Sequence, residues 1–155
     1  MATGRSIVVG VEAKGVRKEG IANGVINPGE CLQIDAAVEP VGGRHTLEAV
    51  VGAVDGERSL VMVADVDFLQ GRTNSDAYAD GERVFAYCPL PGDELNVRVQ
   101  ASVGNLAIGD KLIIDSATGE LIATTGTPEM EPFIVLETSA TSASARLVHV
   151  MYTGH

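Results

Sequence analysis

Turn-forming sequences recur so closely between residues 65 and 115 that a helix of ordinary length has no room among them. Pro89-Leu-Pro-Gly-Asp-Glu reverses the chain, and Gly109-Asp-Lys-Leu and Thr118-Gly-Glu-Leu punctuate the extended runs that follow. Proline presets φ and glycine tolerates positive φ, so each turn has a stated cause. The runs between them read as strands. Val84, Ala86 and Cys88 alternate with Phe85 and Tyr87, which predicts a strand largely buried on both faces. Leu95, Val97, Val99 and Ala101 face one way and Asn96, Arg98 and Gln100 the other, which predicts an antiparallel strand wet on its second face.

The same logic extends outward. Pro28-Gly29 marks a turn where the body begins, and Pro40 with Gly42-Gly43 marks another break. Residues 47 to 54 and the run Leu60-Val-Met-Val-Ala flank Asp55-Gly56, which predicts a hairpin. Residues 65 to 79 lack a clear period except for one helical turn near residues 67 to 70. Residues 110 to 114 and 120 to 124 form a hairpin about Thr118-Gly119, and residues 132 to 138 and 145 to 152 supply the last two strands. Many short strands with hardly any helix predict an all-β fold, a small β-barrel or compact sandwich. A closed sheet also removes edges that would pair indiscriminately.

Residues 1 to 24 differ from this body, 25 to 155, in holding four of the eleven basic residues (Arg5, Lys14, Arg17, Lys18) and no aromatic. Ile7 to Val11 offers a short strand and nothing after it has a helical period. The segment reads either as an extended arm that orders on a partner or as a terminus whose strand joins the body's own sheet.

A length of 155 residues suffices for one domain with a real core, and 45% apolar with 4% aromatic content makes that core Val, Ile, Leu and Ala. The net charge of −10 argues against nucleic acid as a partner, because neutralising phosphates needs a basic surface. The apolar run Ile7 to Val11 is too short for a signal peptide, and no run nears the ~18 apolar residues of a membrane span, so the chain reads as soluble and made in the cytoplasm. Cys31 and Cys88 fit no metal spacing, and two buried free thiols are preferred to one disulfide.

Chemistry-bearing patterns are sparse. Asp65-Val-Asp67, with Asp76 and Asp80, is the best metal candidate, but Leu69 and Gln70 stand where a calcium loop needs an acid and a glycine, so turn capping is preferred. His149 alternates with Leu147 and Met151 and reads as a core or interface histidine. His45 and His155 are scattered. Arg98 and Arg146 sit on strands and read as ion-pair partners. Lys111 is a weak match to the displayed lysine of a biotin or lipoyl carrier. No Gly-x-Ser-x-Gly, dinucleotide or phosphate-loop motif is present. The chain therefore reads as a non-enzyme without cofactor or metal.

Several motifs in order resemble the tailed-bacteriophage head decoration, or capsid cement, proteins: Ile21-Ala-Asn-Gly-Val-Ile-Asn-Pro-Gly-Glu, Asp67-Phe-Leu-Gln-Gly, Asp76-Ala-Tyr-Ala-Asp-Gly-Glu-Arg-Val, Leu106-Ala-Ile-Gly-Asp-Lys-Leu, Gly119-Glu-Leu and Ala145-Arg-Leu-Val-His-Val. The resemblance covers residues 20 to 152. It implies a β-tulip-like body, a homotrimer, and a place in the virion on the outer surface of an expanded head, with the major capsid protein as partner. It also implies an N-terminal arm laid across the coat, for which Arg5, Ile7, Val8, Val9, Val11, Lys14, Arg17 and Lys18 are the candidates. Phe85, Tyr87 and Tyr152 are candidates for the trimer seam, with the barrel core as the competing place for them. Two rival functions are a small-molecule-binding or carrier barrel, and a hydrolase or isomerase using Asp65, Asp67, His45 or His149.

Overall fold

The computed structural model describes residues 6–9, 13–49, 61–124 and 132–154. In chain order their strands are β1 (Val8–Val9), β2 (Val16–Ala22), β3 (Cys31–Ile34), β4 (Thr46–Ala49), β5 (Met62–Ala64), β6 (Arg83–Cys88), β7 (Glu94–Val99), β8 (Lys111–Ile114), β9 (Leu121–Ala123), β10 (Phe133–Val135) and β11 (Arg146–Tyr152). A single 3₁₀ turn, Phe68–Gln70, is the helical element among the described residues. The fold is all-β, as the turn spacing predicts.

Two sheets share the work. The first has the order β1-β7-β11-β10-β8-β9, and a parallel pairing of Val99 with Leu121 brings β9 back onto β7. The second is a closed barrel, β2-β4-β3-β5-β6. Closure leaves few unpaired edges. The β8–β9 hairpin and the antiparallel β10–β11 pair form where the sequence places them. The described ends of the hairpin expected from residues 47 to 54 with Leu60-Val-Met-Val-Ala are not partners of each other. Instead β3 lies between β4 and β5 and pairs antiparallel with both, while residues 50–60 lie outside the described set.

Each sheet encloses its own apolar cluster. Leu32, Met62, Ala64, Val84, Ala86 and Tyr78 fill the barrel. The facing alanines 64 and 86 are register partners, small enough to leave room for the Tyr78 ring, whose hydroxyl donates to the Asp65 carbonyl at 2.7 Å. On the opposite side of the same strands Cys31, Val63 and Tyr87 turn outward and join the larger cluster built on Leu95, Val97, Val99, Phe133, Val148 and Val150. Strand alternation thus lets β3, β5 and β6 serve both cores at once. Cys31 and Cys88 consequently lie in different clusters, and both are free thiols.

The arm expected over residues 1 to 24 needs correction for its described part. Ile7 is fully buried in the larger cluster, Val8 and Val9 pair with Leu95 and Glu94, and Val16 to Ile21 pair with β6 from Cys88 to Arg83. Arg5 and Val11 lie outside the described residues. The physical reason is that Ile7 and Val8 have an apolar core to enter, and burying an aliphatic side chain is worth about 1.5–3 kcal/mol, more than extension into water offers. This placement also corrects the wet face expected for β7. Asn96 is buried, and its side-chain amide donates to the Ser6 carbonyl at 2.6 Å.

Candidate interaction surface

One carboxylate gathers the junction between β1 and β2. Asp93, buried in the turn after Pro91-Gly92, accepts from the Lys14 N–H (2.9 Å), the Gly15 N–H (3.0 Å), the Leu90 N–H (2.9 Å) and the Tyr87 hydroxyl (2.7 Å). Burial pushes its carboxyl upward, but the Lys14 and Leu90 N–H groups, the Tyr87 hydroxyl and the Gly15 N–H together hold it below its ordinary value. Burial, reinforced by the neighbouring carboxylate, pushes the Tyr87 hydroxyl up to about 12. Gly15 is required by space: a Cβ there would stand 2.2 Å from the Cys88 carbonyl oxygen and 2.6 Å from the Tyr87 ring. The sequence marks Gly92-Asp93 as a turn but carries no signal that four donors converge there.

Tyr87 therefore belongs to the core and not to a surface seam, a correction to its candidacy at the trimer interface. The rings of Tyr152 and Phe133 meet at 5.5 Å between centroids, which leaves Tyr152 half-buried at the core's margin. Phe85 is half-buried on the barrel exterior, with the Arg83 guanidinium 5.0 Å from its ring centre.

The groups of the rival enzyme reading are each engaged locally. Asp65 is buried and paired with the Arg17 Nε at 3.0 Å. Asp67 caps the 3₁₀ turn, Asp76 accepts from the Thr73 N–H and hydroxyl, and Asp80 accepts from the Gly24 N–H. His149 Nε2 lies 2.9 Å from Glu94 Oε2, and exposed His45 lends its carbonyl to the Ile21 N–H. Among the described residues no three His, Cys, Asp or Glu side chains come together as a metal site. Lys111 pairs with Ile134 inside β8, away from the tip of the hairpin. Among the described residues Arg98 and Arg146 donate to neutral oxygens instead of the expected carboxylates: Arg98 to the Asn74 carbonyl, and Arg146 to the Ser139 hydroxyl and the Gly104 carbonyl.

The surface that stands out is apolar and basic. Phe68 and Leu69 are 58% and 87% exposed, yet the turn that carries them is built firmly. Asp67 Oδ1 accepts from the Leu69 and Gln70 N–H groups, and Gly71 closes the turn at φ +69°. A large exposed side chain on a fixed turn is what an interface anchor requires. Asp67→Ala should cost about 1 kcal/mol of stability, the worth of such a cap, and should broaden the Phe68 and Leu69 amide resonances. Three residues before Phe68, Asp65 holds Arg17, so β2 and this turn are within ~11 Å by chain reach. Along β2, Val16, Arg17, Lys18 and Glu19 are all exposed although β6 pairs with them. The sequence singled out Arg17 and Lys18 but not the strand they occupy.

No family model matches the chain, and no curated protein matches it in sequence. Among solved structures, the chain is similar to the crystal structure of the head fiber gp8.5 N base in bacteriophage phi29. The TM-score is 0.55 at 11% identity, over 90% of this chain and 94% of that one. At that identity the likeness is one of fold.

Proposed function

We propose that this chain is a structural protein of a bacteriophage head: a decoration or cement protein that sits as a homotrimer on the outer surface of the expanded capsid near three-fold positions. Its partner is the major capsid protein, and it stabilises the shell against internal DNA pressure. It needs no reaction, cofactor, membrane or nucleic acid for this. The observation that carries the reading is the fold shared, over nearly the whole of both chains, with a base that belongs to a phage head. The ordered motifs over residues 20 to 152 support it, as does a surface with a fixed apolar turn beside a basic strand. Three linked copies would gain avidity through effective concentration, so each contact can be modest. A second reading follows from the same comparison: the chain is itself a base on which a projecting fibre is mounted.

Mixing the purified protein with expanded and unexpanded heads of its parent phage, followed by sedimentation, tests the proposal. Attachment to expanded heads in trimer multiples is expected. A monomer that leaves both kinds of head bare overturns it.

A further inference from the structure

We infer that the outer edge of β2, from Val16 to Glu19, receives an extended acidic segment of the coat subunit as an added strand. The inference rests on the capsid reading above and assigns it a surface. Strand geometry supplies the first argument. The Ile21 N–H donates to the His45 carbonyl on the β4 side, and the Ala22 N–H donates to the Glu82 carbonyl on the β6 side. Backbone direction alternates along a strand, so the N–H groups of Arg17 and Glu19 point the same way as that of Ile21. On that side β4 pairs only with Ile21 and Ala22, and no described residue bonds the backbone of Arg17 or Glu19. Among the described residues, the barrel is closed at one end of β2 and open-edged at the other.

Charge supplies the second argument. The chain carries −10 overall, yet this edge is bordered by Arg17, Lys18, Arg44 and Arg83. The acids among them are Glu19, shared by Arg44 at 3.4 Å and Arg83 at 4.0 Å, and the buried Asp65 that holds Arg17. Lys18 is exposed. Against the acidic character of the chain as a whole this edge is a local basic patch, and an acidic strand of the coat subunit is drawn to it in particular. An edge with unsatisfied donors and acceptors takes an added strand through backbone bonds, and alternate side chains then set specificity. Lysine on an edge also discourages pairing with like-charged strands, which favours an acidic occupant.

Glu19→Pro isolates the edge. It removes one of the two outward N–H groups without touching the ladder to β6, because prolines are tolerated where the strand's N–H faces solvent and Lys18 before it is already extended. Glu19→Ala removes the same side chain and keeps the N–H. With expanded heads of the parent phage as probe, Glu19→Pro should weaken attachment by about tenfold, the effect of losing one or two backbone bonds, while Glu19→Ala stays within about twofold of wild type. Lys18→Glu keeps the backbone intact and serves if the proline variant fails to fold. It should weaken attachment several-fold and flatten its dependence on salt. Wild-type binding with equal binding by a folded Glu19→Pro, or by Lys18→Glu where the proline variant does not fold, overturns the edge and leaves the capsid reading standing. Wild-type protein that does not bind overturns the capsid reading itself. Loss of the oligomer with attachment retained gives the edge to a second copy and overturns the assignment.

Discussion

Truncating Ile7 to alanine should lower the free energy of unfolding by about 2–5 kcal/mol, the range for deleting most of a fully buried aliphatic side chain. Ile7 has no exposed surface and packs in the cluster with Leu95, Val97 and Val150. A residue on a free arm would shift stability by no more than about 0.5 kcal/mol when truncated, as surface positions do. Urea denaturation of the variant therefore distinguishes a docked leading segment from a detached one. A midpoint unchanged from wild type would contradict the described packing. The neighbouring Val8→Ala should cost less, because Val8 is only half-buried.

Replacing Asp93 by alanine is the second large effect. It strips an acceptor from the N–H groups of Lys14, Gly15 and Leu90 and from the Tyr87 hydroxyl, leaving several donors short of partners beside a buried ring. A loss of about 3–5 kcal/mol is expected, since hydrogen bonds to a charged group are worth about 1.5–3 kcal/mol each and are not additive. The effect should depend on pH with a definite sign. Asp93 is held below its ordinary value of 3.8, so its stabilisation is present above that pH and is lost as pH falls through the lowered value. The gap between wild type and Asp93→Ala should thus be constant near neutrality and close as the medium is acidified below 3.8. Amide exchange at Lys14 and Gly15 should rise in the variant more than exchange within β11. Equal rises everywhere would mean that Asp93 supports the whole fold rather than this junction.

Several local signals in the sequence are present in the structure, whereas the long-range pairings were not legible in it. Pro28-Gly29 forms its turn with Gly29 at φ +90°, Thr118-Gly119 closes a hairpin, and the helical turn near residues 67 to 70 is present with Asp67 as its cap. Each depends on residues a few positions apart, which a sequence displays directly. The placing of β3 between β4 and β5 depends on which strand wins a common partner, and no adjacent residue records that. The burial of Asn96 depends on Ser6, and the two stand 90 positions apart. Polarity suggested solvent, while a hydrogen bond supplied burial. The leading segment misled for a related reason: Val16 to Glu19 are exposed and partly charged because they form a sheet edge, and an edge strand has the composition of a tail. Of the candidate contacts, Arg17 and Lys18 lie on the surface and Tyr87 lies inside.

Pairing the first strand with one made so much later bears on how the molecule comes into being. As the polypeptide leaves the ribosome, Ile7 to Val9 emerge with nothing to pair with, and they wait until the residues of β7 have followed. Loop closure over such a separation is slow compared with a neighbouring hairpin, so maturation of this end should come late. A nascent chain stalled before residue 94 would be cut near its start by added protease, and release of the full chain would protect the same bonds within the time the sheet takes to assemble.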